Sequence, residues 1–179
     1  MTSLLHEART MPLLFGVPLG GAAGHVLAFV MHHQEQTNWC WAAVATSVAG
    51  FYESNDGGAQ CELVNAERGL AKCCASGSDD DCNVAWYLDK ALTRVGHFRD
   101  LSEAKAPWDT VTTEVDANHP LGVRIEWNGG GGHFVIVAGY DGEMLEIRDP
   151  WWGDSSVAYD SFPDSYQGSG SWTHSYRTQ

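Results

Sequence analysis

The spacing of the apolar residues changes at Pro120. After it, residues 121–127 alternate between apolar and polar side chains, as in a half-buried strand. Two further apolar runs, residues 133–139 and 144–148, flank Asp141-Gly142, a dipeptide typical of a tight β-hairpin. Helices followed by an antiparallel sheet indicate an α+β fold. The predicted helices span residues 38–52, 62–72, 83–95 and 108–117, after a predicted entry strand at 26–31.

The length of 179 residues suits one compact domain, and 44% apolar residues provide a sizeable core. The net charge of -13, with only 10 lysines and arginines, argues against a nucleic-acid partner, because phosphate binding needs a basic surface. Residues 11–31 are fairly apolar, but glycines and prolines interrupt them, so we expect no membrane-spanning helix. We divide the chain into residues 1–24, a leader or pro-segment, and residues 25–179, a folded domain. Removal of the leader as a signal peptide is the alternative.

Four cysteines fall within residues 61–82, whereas Cys40 stands apart. This pattern predicts two disulfides and one free thiol, and disulfides indicate an oxidising compartment, hence a secreted or exported protein. A four-thiolate zinc site is the alternative, but adjacent cysteines fit a metal knuckle badly because their side chains diverge. We therefore expect no metal or cofactor. We favour the local pairing Cys61–Cys73 and Cys74–Cys82, although the sequence leaves three connectivities open.

Cys40 is the candidate nucleophile. It lies near the predicted start of the first helix, for which Asn38 is a reasonable N-cap. The helix dipole and the free N–H groups of a first turn favour a thiolate, which is the reactive form of cysteine. A buried structural cysteine is the alternative. Two flanking tryptophans and a run of small residues, Trp39, Trp41 and residues 42–43, favour the reactive role.

A thiolate nucleophile needs a base and a group that orients the base. Among eight histidines, His133 is the best candidate, because it follows a glycine run and begins a rigid apolar strand. Asp149 ends the partner strand of the hairpin, close to opposite His133, where it can accept the ring N–H. The alternative for Asp149 is a turn residue before Pro150.

Gln34 is the candidate donor to the oxyanion. It lies six residues before Cys40, and a side-chain amide at that distance can fold back beside the Cys40 backbone N–H. Gln36 is the alternative, since it is only four residues away.

These motifs together resemble the papain-like cysteine peptidases. The segments that carry the resemblance are Gln34-x5-Cys40-Trp41, residues 132–140 and Asp149-Pro150-Trp151. They look most like the bacterial branch with the AvrRpt2-type effector peptidases, and they are similar to the peptidase domains of double-glycine leader exporters. The resemblance covers about residues 26–160.

The resemblance implies a two-lobed papain-like fold, with a helical lobe that carries the nucleophile and an antiparallel sheet lobe. It implies a cysteine peptidase that acts on peptides or proteins through Cys40, His133, Asp149 and Gln34 and a thioester acyl-enzyme. We expect a monomer. Three alternatives stay open: an acyltransferase or transglutaminase-like enzyme with the same triad, a secreted effector or toxin, and a non-catalytic binding homologue.

Overall fold

The computed structural model describes residues 24–179. The predicted leader, residues 1–24, lies outside the described residues except for Gly24. The helices are α1 Cys40–Glu53, α2 Gln60–Arg68, α3 Leu88–Arg94 and α4 Trp108–Asp116. The strands are β1 His25–Val26, β2 Phe98–Ser102, β3 Leu121–Trp127, β4 Gly132–Asp141, β5 Met144–Asp149, β6 Gly153–Ala158 and β7 Gly170–Thr178. This arrangement confirms the α+β class.

All seven strands form one antiparallel sheet, in the order β2-β7-β3-β4-β5-β6, and β1 pairs with β4. The predicted hairpin is the pair β4–β5. Asp141 pairs with Met144, so the two loop residues are Gly142 and Glu143. Gly142 has a φ of 58°, which glycine adopts without the steric cost that a side chain brings. The turn therefore lies one residue later than the dipeptide signal suggested.

Three strands were not predicted. β2 and β6 are the edges of the main strand order, and neither shows the regular apolar alternation that marks a strand. β7 returns from a long loop to pair with both β2 and β3. Their pairing across the sheet defines these strands, and a local pattern does not carry that information.

Two apolar clusters pack against the sheet. The first joins α1 and its neighbouring helices to Phe134, Ile136 and Ala138 of β4. The second includes the alternate β4 residues Val135 and Val137, together with side chains of β3, β5 and the β6–β7 loop. This division follows the two-residue period of a strand. Residues 40–49 of α1 are all buried, and their many alanines allow the helix to lie close to the sheet.

The disulfides join Cys61 to Cys74 and Cys73 to Cys82, so the predicted pairing is wrong, and the zinc alternative is wrong as well. Burial gives the physical reason. Cys73 and Cys82 are both buried in the first cluster, whereas Cys74 is exposed and Cys61 is half-buried on α2. The neighbouring side chains of residues 73 and 74 diverge. Cys73 therefore bonds to the buried Cys82, and Cys74 bonds to Cys61 near the surface.

The third helix is shorter than predicted, because it begins at Leu88 instead of residue 83. Residues 82–84 are held instead by tryptophan side chains of the segment around Cys40. The indole N–H of Trp39 donates to the Cys82 carbonyl at 2.9 Å, and that of Trp41 donates to the Val84 carbonyl at 3.0 Å.

Within residues 24–179, no helix combines the length and the apolar character needed to cross a bilayer.

Candidate active site

Cys40 is the first residue of α1 and carries the free thiol, since the other four cysteines form disulfides. It is 8% exposed, which leaves an edge of the side chain accessible. The helix starts two residues later than predicted, so its N-cap is Trp39 in place of Asn38. In the described part of the chain no side chain caps this end, and no acidic residue lies in the first turn. The uncapped N–H groups and the positive end of the helix dipole therefore favour negative charge at Cys40.

The segment before Cys40 is fixed by residues 73–84, here named the disulfide loop. Besides the two indole bonds, the Asn38 backbone N–H donates to Asn83 Oδ1, and the Asn38 side chain donates to the Asn83 carbonyl, both at 2.9 Å. Asn83 Nδ2 also donates to Thr37 Oγ1 at 2.8 Å. The core disulfide Cys73–Cys82 closes this loop, so the cross-link and the nucleophile segment belong to one hydrogen-bonded unit.

The structure brings His133 and Asp149 together. The ring Nε2–H of His133 donates to Asp149 Oδ1 at 2.9 Å, and both side chains are buried. An irregularity at Ala138 shifts the strand register, so that Arg148 pairs with Ile136. Asp149 therefore reaches His133 diagonally along the sheet, and the two residues do not lie directly opposite each other. With Nε2 engaged, Nδ1 is the ring nitrogen left for Cys40.

Four donors surround the Asp149 carboxylate. Oδ1 also accepts the backbone N–H groups of Trp151 at 2.7 Å and Trp152 at 3.0 Å. Oδ2 accepts the hydroxyl of Tyr166 at 2.9 Å, in a buried contact. The turn role that was the alternative for Asp149 and the orienting role thus coexist in one side chain. Sequence reasoning missed Tyr166, because it lies in a long loop and no motif marks it.

The charges of this cluster are coupled. Burial alone lowers the pKa of His133, but the hydrogen bonds and negative charges of Asp149 and Cys40 outweigh burial and raise it to about 9. Burial raises the pKa of Asp149, but the His133 hydrogen bond and charge, with the N–H groups of Trp152 and Trp151, bring it below the usual value. Burial and the neighbouring Asp149 carboxylate raise the pKa of Tyr166, which keeps its hydroxyl a donor. The arrangement therefore stabilises an imidazolium beside a thiolate.

Indole rings shield the imidazole. Trp152 meets the His133 ring edge-on with ring centroids 5.2 Å apart, and Trp127 stacks on it at 6.2 Å. Trp151 stacks on His33 at 5.5 Å. Trp151 and Trp152 are each more than two fifths exposed, so these rings are a cover between the His133–Asp149 pair and water. Exclusion of water strengthens the electrostatic interaction beneath them.

Gln34 is buried beside the Asp149 turn, since its backbone N–H donates to the Pro150 carbonyl at 2.9 Å. Its side-chain nitrogen donates to the carbonyls of Gln36 at 2.8 Å and Thr37 at 2.9 Å, and Oε1 is buried without a partner among residues 24–179. Both amide hydrogens are thus engaged by the backbone. In this conformation Gln34 braces the chain leading to Cys40, and neither of its hydrogens is free for an oxyanion.

A cavity of about 750 Å³ opens on Cys40. It is here named the cleft, and its lining residues come from the α1 start, the segment 85–89, the β2 end and strands β3, β4 and β7. Within residues 24–179, no group of three or more histidine, cysteine, aspartate and glutamate side chains has a geometry that could hold a metal ion.

The family described as papain-like cysteine protease AvrRpt2 matches residues 24–167. The chain belongs to this family. It is therefore a papain-like cysteine peptidase, as the motifs had suggested. The match spans the nucleophile segment, the β4–β5 hairpin and Tyr166. A comparison with curated proteins found no match.

Solved structures with the same fold include the peptidase domain of Streptococcus ComA, a bi-functional ABC transporter, at 18% identity and a TM-score of 0.59, over 84% of this chain and 98% of that one. A putative C39-like peptidase from Bacillus anthracis matches at 15% identity and a TM-score of 0.56, over 86% of this chain and 96% of that one. A double-glycine motif protease from an AMS/PCAT transporter, in complex with the leader peptide, matches at 19% identity and a TM-score of 0.51. This match covers 86% of this chain and 94% of that one. These likenesses support the predicted papain-like fold.

Proposed function

We propose that this chain hydrolyses peptide bonds through a thioester acyl-enzyme, with Cys40 as the nucleophile, His133 as the base and acid, and Asp149 as the group that orients His133. The observation that carries the proposal is the buried 2.9 Å contact between His133 Nε2 and Asp149 Oδ1 beside the one free thiol. A peptide or protein substrate fits the family, and one structural neighbour was solved with a leader peptide.

In the first half of the reaction, the Cys40 thiolate attacks the carbonyl carbon of the scissile bond, and the carbonyl electrons move onto oxygen. Protonated His133 then gives its proton to the leaving nitrogen, the C–N bond breaks, and an amine leaves. In the second half, His133 takes a proton from water, the resulting hydroxide attacks the thioester, and the C–S bond breaks. The products are a carboxylic acid and the original thiolate.

The oxyanion needs hydrogen-bond donors at the position where negative charge develops. The Cys40 backbone N–H is the first donor we assign, because it lies at the uncapped start of α1. We assign the second to Gln34. For this role its amide nitrogen exchanges one of the carbonyls of Gln36 and Thr37 for the oxyanion. Gln34 would then act as a brace in the free enzyme and as a donor during the reaction.

The test compares wild-type protein with Cys40→Ala on a mixed peptide library, with mass spectrometry of the products. We expect wild type to cleave and Cys40→Ala to lose about 10⁴-fold or more in rate. A thiol-directed epoxide should add once to the oxidised protein, at Cys40, because the other cysteines form disulfides. Undiminished cleavage by Cys40→Ala would overturn the assignment. An added amine that appears in the product would show acyl transfer instead of hydrolysis.

We further propose that the enzyme works in an oxidising compartment, as a secreted or exported protein. Two disulfides among five cysteines support this, because cytosolic thiols are normally kept reduced. Protein purified from a reducing and from an oxidising compartment should differ in thiol count. One free thiol in the active form supports the proposal, and full activity with five free thiols contradicts it.

A further inference from the structure

The cleft that opens on Cys40 combines aromatic walls with acidic groups. Its apolar lining includes rings at positions 41, 86, 87, 134 and 176. Three carboxylates line it as well, those of Asp89, Glu103 and Glu126, together with one guanidinium, that of Arg124. A peptide bound at Cys40 has to pass this surface, so its charge bears directly on the choice of substrate.

The single guanidinium of the cleft is already neutralised. Arg124 Nη1 forms an ion pair with Glu126 Oε2 at 2.8 Å and also donates to Thr173 Oγ1 at 2.8 Å. Hydrogen bonding and the charge of Arg124 keep the pKa of Glu126 below its usual value, so this carboxylate stays ionised in the pair. Arg124 is therefore held against its own strand neighbour and forms no ion pair with the two other carboxylates of the cleft.

Asp89 and Glu103 have no ion-pair partner among residues 24–179. They come from different elements, since Asp89 lies in α3 and Glu103 follows β2. Lys90, the neighbour of Asp89, lies over the rings of Trp86 and Tyr87 and is not among the lining residues of the cleft. Folding thus brings two uncompensated negative charges to one cavity from separate parts of the chain.

The charge of Asp89 reaches the interior of the cleft. Tyr176 is buried in its wall, and burial together with the negative charge of Asp89 raises the pKa of this tyrosine to about 12, against the opposing charge of Arg124. At this ring the negative charge of Asp89 therefore outweighs the positive charge of Arg124. The bodies of the rings offer apolar surface, and lysine and arginine side chains have both an apolar stem and a cationic end.

We propose that the cleft selects peptides that carry a lysine or arginine near the scissile bond, with its stem on the aromatic wall and its charge toward Asp89 and Glu103. This inference rests on the proposed peptidase function and names the substrate class of that site. Attraction by the net charge of -13 is a separate effect, because it acts on any cationic peptide and does not depend on a position in the sequence.

The experiment uses full-length protein and peptides that are identical except at one position, which holds lysine, its neutral analogue norleucine or glutamate. That position is moved through the four residues on each side of the bond that is cleaved. We expect one position at which lysine exceeds norleucine in kcat/KM by about 10-fold or more, and at which glutamate is worst. Asp89→Asn and Glu103→Gln should each reduce this lysine preference, measured as the ratio of kcat/KM for the lysine and norleucine peptides, by about 3- to 10-fold.

The matched control is Glu143→Gln, which removes the same charge in the exposed β4–β5 turn, outside the cleft. It should leave the lysine preference unchanged. The double charge reversal, Asp89→Lys with Glu103→Lys, should transfer the preference to glutamate. Cleavage without any preference for charge at a position, or an equal effect of the control, overturns this inference and leaves the peptidase function intact. Cleavage of no peptide at all overturns both.

Discussion

Replacing Asp149 by asparagine should move the alkaline limit of activity. In the proposed mechanism His133 must carry a proton to release the amine, and its pKa of about 9 owes its rise to Asp149 and Cys40, which together outweigh burial. Asparagine has the same shape, and its oxygen can still accept the His133, Trp151 and Trp152 N–H groups. The substitution therefore removes a negative charge and puts an amide nitrogen in place of Oδ2, so the Tyr166 hydroxyl must turn from donor to acceptor. Loss of a negative neighbour destabilises the imidazolium, so the pKa falls.

A fall of about 1.5 is reasonable for the loss of one opposite charge in hydrogen-bonding contact, which places the pKa of His133 in the variant at about 7.5. At pH 8.5 His133 would be about three quarters protonated in the wild type and about one tenth protonated in the variant. The wild type should therefore be about 8 times as active as the variant at this pH. At pH 6.5 both forms would be more than about nine tenths protonated, so this part of the difference disappears. The penalty should grow as the pH rises through the window between these two pKa values.

The assay is kcat/KM for one peptide from pH 5.5 to 10. Asp154→Asn is the matched control, because it removes an exposed carboxylate from the neighbouring strand β6 without contact to His133. Its alkaline limit should stay near that of wild type. If the limit in Asp149→Asn stays near 9 or rises, the carboxylate does not support the imidazolium, and the electrostatic reasoning is wrong.

Three further variants test the surroundings of the proposed triad. Tyr166→Phe leaves one buried carboxylate oxygen without its donor, so we expect a loss of about 1–3 kcal/mol in urea unfolding, with a lower kcat and an unchanged KM. A fall in KM or stability alone, at unchanged kcat, would contradict a positioning role. Removal of either disulfide, by Cys73→Ser with Cys82→Ser or by Cys61→Ser with Cys74→Ser, should cost about 3 kcal/mol because the closed loops are similar in length. Only the first pair should also lower kcat strongly, and equal kcat losses would show that the disulfide loop does not hold the nucleophile.

The sequence predicts the contact between His133 and Asp149, because the signals for it are local. A cysteine before an alanine-rich helix, a histidine that opens an apolar strand and an aspartate at the end of a hairpin each have a short-range cause. The hairpin then converts separation along the chain into contact, which brings residues 133 and 149 together. The error of two residues at the start of α1 did not matter, since it moved Cys40 from the first turn to the first position.

The parts that sequence reasoning missed depend on which side chains become buried together. The pairing of the cysteines follows from the burial of Cys73 and Cys82, which no spacing along the chain reveals. The engagement of the Gln34 amide by two carbonyls depends on the path of the backbone before Cys40. Tyr166 reaches Asp149 only because a loop folds back across the sheet.

The position of the proposed triad relative to the two apolar clusters explains how a buried charged group is tolerated. Cys40 belongs to the first cluster and Tyr166 to the second. The charge of Cys40 acts on His133, and both His133 and Tyr166 donate to Asp149, so each of these groups has a neighbour of complementary character. A buried ion pair that lost one partner would cost several kcal/mol, about 3–5, because the other charge would stay uncompensated. The same contacts that hold the imidazolium ready for the reaction therefore connect the helical part of the fold to the sheet.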